Sequence, residues 1–399
     1  MATVLSLELS QRIRSKKMYI ALGVWFVFMG FITWLINQFF YAALYLEAEG
    51  VSGWLFSLIT LFVMGMSLLV APVFSASAIV SDREHGVLAT LQATKLSAVE
   101  IAAGKLLASW LVSLAFVVVT IPYVGYAVWL GGVSLQQVAV ATAVVFIEVA
   151  LICTIGLGWS AITSRAVIST VFTYLSVAFM TVITLIIFAT ATAMTVSDEQ
   201  VSDWELPLSA ERSYVADLNA WFASSSNSAA PPAPPWEQCA WVERGYSSSI
   251  AHTEYTWWLL LVNPFVIVAD AAASPTVPLQ DSVLDSTDPL ALIKLGVRSA
   301  RIGDAAGADN CGASTTWLGD YRIAPRSDGT FTITSPDGIA VISAPGTKPT
   351  SPFAGYDIDD PVWPWGMASN AIIAAAFFYL AVRRLSVPYG VLPSGQRVA

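Results

Sequence analysis

Apolar residues in this chain run in blocks too long for the core of a soluble protein. Nearly unbroken hydrophobic stretches cover residues 18–46, 54–80, 101–130, 136–163, 167–195 and 365–382. Each is long enough to cross a bilayer as a helix, which takes about 20 residues. A seventh stretch, 257–269 (WWLLLVNPFVIVA), is shorter and is broken by Asn263-Pro264, so it is expected to be re-entrant or interfacial rather than spanning. The fold class that follows is an all-α polytopic membrane protein of six transmembrane helices. The basic N-terminal segment precedes an apolar run too long for a signal-peptide core, and no small-residue cleavage site follows, so the first helix is expected to be retained.

Polar residues concentrate between the fifth and sixth blocks. Residues 196–363 are expected to form an extracellular mixed α/β domain. Within it, 224–235 (SSSNSAAPPAPP) reads as an exposed extended linker or loop. Alternation at 330–334, a Pro336-Asp337-Gly338 turn and a return over 339–342 predict a β-hairpin. Residues 290–300 read as a short amphipathic helix. The other divisions are an amphipathic segment at 1–17, the first five spans over 18–195, and the last span with its tail over 364–399.

Composition agrees with this pattern: 56% of the 399 residues are hydrophobic, 12% are charged, and mean hydropathy is +0.66. Soluble domains carry about a quarter charged residues, so an ordinary soluble protein is excluded. A net charge of −9 excludes non-specific nucleic-acid binding, which needs clustered Lys and Arg. The placement of charge orients the chain. With six spans, eleven basic residues, among them Arg12, Arg14, Lys16, Lys17, Arg83, Lys105 and Arg383, share a side with only Glu8, Asp82, Glu84 and Glu100. The segment 196–363 carries 21 acidic and eight basic residues. The positive-inside rule then puts both termini in the cytoplasm. A seventh span at 257–269 would move Arg383-Arg384 outside, which argues against it. Tyr41, Tyr45, Trp54, Tyr123, Tyr126, Trp129, Trp363 and Trp365 fall near the outer helix ends, where aromatic rings favour the headgroup region.

Candidate chemistry is sparse. Of three cysteines, Cys239 and Cys311 both fall in the outer segment, where one disulfide is the economical reading and two buried thiols the alternative. His85 and His252 belong to no metal-ligand pattern, and no nucleophile elbow occurs. Gly104-Lys105 has the end of a phosphate-loop motif, but Val99 and Leu106 occupy its other required positions, so no nucleotide site is expected. Asp357, Asp359 and Asp360, or Asp281, Asp285 and Asp288, could gather a hard cation or form solvated loops. Glu148 lies deep in the fourth span, where a charged carboxylate in lipid would be costly. Its two readings are a polar or proton-sensitive contact with substrate, and a glutamate that fixes helix packing. Pro72 and Pro122 permit kinks in their spans.

The loop after the second span is the most informative stretch. Asp82-Arg83-Glu84-His85-Gly86 precedes a short apolar face made by Val87, Leu88 and Leu91. Ser97 and Glu100 then form a capping-box pattern that starts the third span. Such an exposed face suits docking into a partner's groove, or is a simple interfacial loop helix.

The run EHGVLATLQATKLSAVEIAAGK resembles the corresponding loop of ABC transporter export permeases of the second family, whose fold is similar to ABCG half-transporters and O-antigen exporters. The basic amphipathic N-terminus, the six spans and the Asn-Pro-Phe segment before the last span match that order over about 60% of the chain; the large outer insertion does not. The resemblance implies a coupling helix at about 82–95 carrying Glu84, Gly86, Val87, Leu88 and Leu91. It also implies an elbow helix with Leu5, Leu9 and Ile13 on its apolar stripe, and a re-entrant segment holding Asn263, Pro264 and Phe265. It implies a permease in a bacterial cytoplasmic membrane that is not itself an enzyme and binds no cofactor. ATP and magnesium would sit on separate ABC ATP-binding subunits, and a second permease copy or a paralogue would complete the path. The substrate would be amphiphilic: a lipid, antibiotic, peptide or cell-wall precursor. The alternative function is mechanotransmission, with the outer domain sensing a ligand or partner and nothing translocated.

Overall fold

The computed structural model describes residues 2–43, 48–86, 96–224, 230–272, 288–303, 311, 315–326, 330–343 and 360–386. Among the described residues, six helices are long and apolar enough to cross a membrane: Lys16–Phe39, Val51–Glu84, Ala98–Trp129, Leu135–Ile162, Ala166–Met194 and Trp363–Leu385. Each overlaps one of the apolar blocks in the sequence. They are called the first to sixth spans below.

The chain divides into two compact units. One comprises Met1–Thr190, Trp257–Arg298 and Asp360–Ala399, and the other Ala191–Thr256 and Ser299–Asp359. The first unit is helical. It starts with α1 (Ala2–Ile13) and α2 (Lys16–Ala43), then α3 (Ala48–Ser75) and the short α4 (Val80–Glu84). The third span is two helices, α5 (Ala98–Val118) and α6 (Ile121–Trp129), because Pro122 cannot donate to the preceding turn and sits where a new helix starts. The fourth span is α7 (Leu135–Ile162). The fifth comprises α8 (Ala166–Ala178), a π-helical turn Phe179–Ile183 and α9 (Thr184–Met194).

Helix α7 is central, packing on α3, α5 and α8. Small residues allow this. A Cβ on Gly158 would come within 2.5 Å of the Phe377 ring, and one on Gly156 would meet the Ser75 hydroxyl, so neither position admits a side chain without displacement of its neighbour. The buried core of this unit includes Met29, Leu55, Ile59, Met64 and Ile152. Spans three and four each begin with a capping box, Ser97 with Glu100 and Ser134 with Gln137.

The chain returns to the helical unit at Trp257–Val262, a 3-10 helix, followed by α11 (Pro264–Ala272) and then α12 (Pro289–Ile302), whose last residues fall in the second unit. The final span is α13 (Trp363–Leu385).

The second unit is mixed. Strand β1 (Val196–Glu205) pairs antiparallel with β2 (Ala240–Ala251), with an irregularity between Gln200 and Ser202. Helix α10 (Leu208–Ala223) lies between them in sequence. A four-stranded antiparallel sheet follows in the order β3 (Thr316–Leu318), β4 (Tyr321–Pro325), β5 (Phe331–Thr334) and β6 (Ala340–Ile342). The hairpin read from the alternation is β5–β6, with Thr332 opposite Ile342 and Thr334 opposite Ala340. Phe331 and Ile333 point into a core shared with Tyr214, Leu218, Trp236 and Ile323. Cys239 and Cys311 are joined by a disulfide, with Cα atoms 6.3 Å apart. Cys153 is a free buried thiol.

The proline-rich stretch needs a correction. Of its expected exposed linker, residues 225–229 lie outside the described residues, but Pro234 is buried and Pro231, Pro232 and Pro235 are half-buried. The Tyr214 hydroxyl donates to the Pro232 carbonyl at 3.1 Å, and Tyr214 is itself part of the buried core of this unit.

Candidate functional site

The C-terminal end of the second span, α4, contacts α5, α7 and α8 directly and α1 through Lys105. Ser160 on α7 accepts hydrogen bonds from the Ile79 and Val80 amides at 2.9 and 3.0 Å, so another helix supplies the N-terminal cap of α4. Asp82 pairs with the Lys105 ammonium of α5 at 2.5 Å, and the same ammonium pairs with Glu8 of α1 at 2.5 Å. Lys105 is 1% exposed, and two carboxylates offset the cost of burying its charge. Arg12 completes the group. It contacts Glu8 at 3.3 Å and the Ser109 hydroxyl at 3.2 Å, and lies over the Phe74 ring. The Gly104-Lys105 pair that resembles the end of a phosphate loop thus has its ammonium engaged by carboxylates.

The next two residues hold the junction between the fourth and fifth spans. Arg83 donates to the Thr163 carbonyl at 2.9 Å and the Ala161 carbonyl at 3.2 Å, at the C-terminal end of α7. Glu84 accepts from the Ala166 amide at 3.0 Å, at the N-terminal end of α8. Each charge meets the helix end of opposite partial charge, and each satisfies a backbone group that the helix leaves open. His85 contacts the Ser81 carbonyl at 2.7 Å, and Gly86 has φ +71°, a left-handed conformation that glycine adopts without cost. Val87, Leu88 and Leu91 lie outside the described residues. Leu5 and Leu9 are half-buried on α1, and Ile13 is its last residue.

Glu148 is fully buried, and its Oε2 accepts from the Asn370 amide of α13 at 3.1 Å. Oε1 of Glu148 and Oδ1 of Asn370 have no hydrogen-bond partner among the described residues. The pair links the fourth and sixth spans through polar atoms within otherwise apolar helices.

Asn263, Pro264 and Phe265 are built into the helical unit. The Asn263 carboxamide oxygen accepts from the Phe265 amide at 3.0 Å and so caps α11. Its amide nitrogen donates to the Thr181 carbonyl at 2.9 Å, within the π-helical turn of the fifth span. A π turn displaces carbonyls from the regular ladder, which suits one to an outside donor. Phe265 lies near Gly65 on α3.

Two carboxylates secure the same region: Asp270, which sequence reading misses, and Asp288, which it reads as a cation ligand or loop residue. Asp270 pairs with Arg298 at 2.5 Å and accepts from the Val362 and Trp363 amides, each at 2.7 Å, at the start of the sixth span. Asp288 caps α12 by accepting from the Ala291 amide at 3.0 Å and also accepts from the Ser57 hydroxyl of α3. The available signal for the first was an acid directly after an apolar run with a basic residue on the next amphipathic helix.

Of the candidate cation ligands, Asp281, Asp285, Asp357 and Asp359 lie outside the described residues, and Asp288 serves as a helix cap. Among the described residues, no group of three His, Cys, Asp or Glu side chains could hold a metal. In the mixed unit, His252 contacts Glu254 at 2.7 Å, Ser197 at 2.9 Å and Glu199 at 3.3 Å. The hydrogen bond to Glu254 raises its pKa, opposed by desolvation and assisted by the charges of both glutamates.

No protein-family model matches the chain, and no curated protein matches it. Fold and site define a class: a chain with six helices, among the described residues, long and apolar enough to span a membrane, interrupted in sequence by a disulfide-bonded mixed unit.

Proposed function

We propose that this chain is the membrane-spanning permease subunit of an ATP-driven ABC exporter moving an amphiphilic substrate out of a bacterial cytoplasmic membrane. The supporting observation is the arrangement of Asp82, Arg83 and Glu84, which tie α4 to α5, α7 and α8, and through Lys105 to α1, immediately before the segment that carries Val87, Leu88 and Leu91. A push on that segment reaches three helices through short, charge-assisted contacts and a fourth through Lys105, as force transmission from a separate ATPase requires. In this reading α1 is the elbow helix, Glu84 to Leu91 belong to the coupling helix, both termini are cytoplasmic, and the mixed unit is outside. In the same reading ATP and magnesium sit on the partner subunits. A second permease copy or a paralogue completes the path.

The test is Leu88→Asp. A charge in a docking groove costs on the order of 2 kcal/mol. The complex purified from its native membrane is expected to lose its ATPase subunit and its transport while six-span insertion persists. Full retention of both would refute the coupling role. The sensor reading draws on the disulfide-bonded unit: it is favoured if ATP turnover responds to an external ligand while no substrate crosses sealed vesicles.

A further inference from the structure

Spans two, three and four line a half-open cavity of about 250 Å³ beside the break in the third span. Its floor includes Ile59, Ala141 and Val145, all buried; its mouth includes Ile121 and Leu135, which are 61% and 75% exposed. No charged side chain lines it, and its polar side chains are three threonines, Thr60, Thr120 and Thr142. The Thr120 hydroxyl is already donated to the Val117 carbonyl.

We infer that this cavity holds an acyl chain of a bilayer phospholipid. An apolar cavity of this size stays dry and takes up apolar molecules, because water inside would lack hydrogen-bond partners. A polar or charged ligand would lose its hydration against walls that return almost nothing. The mouth opens among exposed apolar side chains on helices long enough to span a membrane, so the cavity fills from the hydrocarbon phase rather than from water. Without a charged residue in the lining, the headgroup stays outside and only the chain enters. Thr120 and Pro122 interrupt the third span beside this space, so the break in the helix at the cavity is encoded locally. The inference stands independently of the exporter reading.

Gly125 provides the test. It lines the cavity, and a Cβ there meets nothing within 4 Å, so a larger side chain enters open space. Gly23 on the first span is equally open but does not line the cavity. The full-length protein is placed in phospholipid nanodiscs containing a phospholipid with a diazirine in mid-chain, irradiated, and mapped by peptide mass spectrometry. Labels are expected to concentrate on residues 117–128 and 135–146. Gly125→Trp is expected to reduce them about tenfold, as loss of a filled apolar site predicts, and Gly23→Trp to leave them unchanged. If Gly125→Trp does not assemble, Gly125→Leu gives a graded loss, and the unmodified protein's label map is decisive alone. Even labelling over all six spans would overturn the inference. So would labelling by an aqueous diazirine fatty acid in place of the phospholipid, or cross-links between two copies at these residues without lipid label.

Discussion

The carboxylate of Glu148 and the amide of Asn370 meet 3.1 Å apart, with no exposure of either side chain, and leave one oxygen of each without a partner among the described residues. That imbalance predicts the ranking of substitutions. Glu148→Gln keeps the acceptor for Asn370 and adds a donor for its free oxygen, so thermal unfolding in detergent should be unchanged or slightly later. Glu148→Leu strands the buried Asn370 amide, and should destabilise by about 1–3 kcal/mol. Adding Asn370→Leu should recover part of that loss, with a coupling of about 1 kcal/mol. If Glu148→Gln is stable yet inactive in transport, the carboxyl has a role beyond packing; equal activity assigns it to packing alone.

The spans were legible because continuous apolar runs are a one-dimensional signal. Bonds local in sequence were legible for the same reason: the Ser97–Glu100 capping box spans three residues and is present in full. Ser134–Gln137 is the same pattern and went unread. Arg83 was not legible as the clamp of α7, because its acceptors are backbone carbonyls about 80 residues away, and carbonyls carry no sequence signature. Strand β1, VSDEQVSDWE, was hidden for another reason. Much of it is exposed on both faces, so the alternation that marks a half-buried strand is missing over its first half. The Asp270–Arg298 pair joins residues 28 positions apart, and pattern reading places the two only on neighbouring elements.

Cys239 and Cys311 close a loop with a sequence separation of 72. In the chain-entropy model such a cross-link stabilises by about 4 kcal/mol, mainly by restricting the unfolded chain. Cys239→Ser with Cys311→Ser should therefore lower the unfolding temperature of the mixed unit strongly, and limited proteolysis should cut that unit first. An unmodified protein treated with reductant should behave likewise. Equal protease resistance of the reduced and oxidised forms would contradict this.

His252 binds its proton more tightly in the folded protein than in the unfolded chain, chiefly through Glu254. Its contribution to stability is thus fully present below its ordinary pKa of 6.5 and is lost as pH rises through the raised folded value. The unfolding temperature of the mixed unit should fall over that window in the unmodified protein. His252→Gln, which cannot gain the proton, should show a flatter profile there. Parallel profiles for the two proteins would remove His252 from the pH response.

Lys105 should be the most sensitive residue of the polar group around α4. Its ammonium is 1% exposed and is shared by Glu8 and Asp82, so Lys105→Met leaves two carboxylates facing a space without that cation. Breaking a buried ion pair by removing one partner costs about 3–5 kcal/mol. Glu8→Gln and Asp82→Asn each leave Lys105 one carboxylate, and should cost less. Because Glu8 belongs to α1, the Lys105 substitution should loosen that helix on α5, with the Arg12–Ser109 hydrogen bond still joining the two. The measurement is trypsin cleavage after Arg14 in the full-length protein, whose rate follows the population of the detached helix. Lys105→Met and Glu8→Gln both break the ion pair between α1 and α5 and should raise that rate, by about tenfold for Lys105→Met. Asp82→Asn leaves that pair in place and should raise it less. The order matters more than the size. If Asp82→Asn exposes the site as much as Lys105→Met does, or Lys105→Met leaves the rate unchanged, the Lys105–Glu8 pair is not what fastens α1 to the third span.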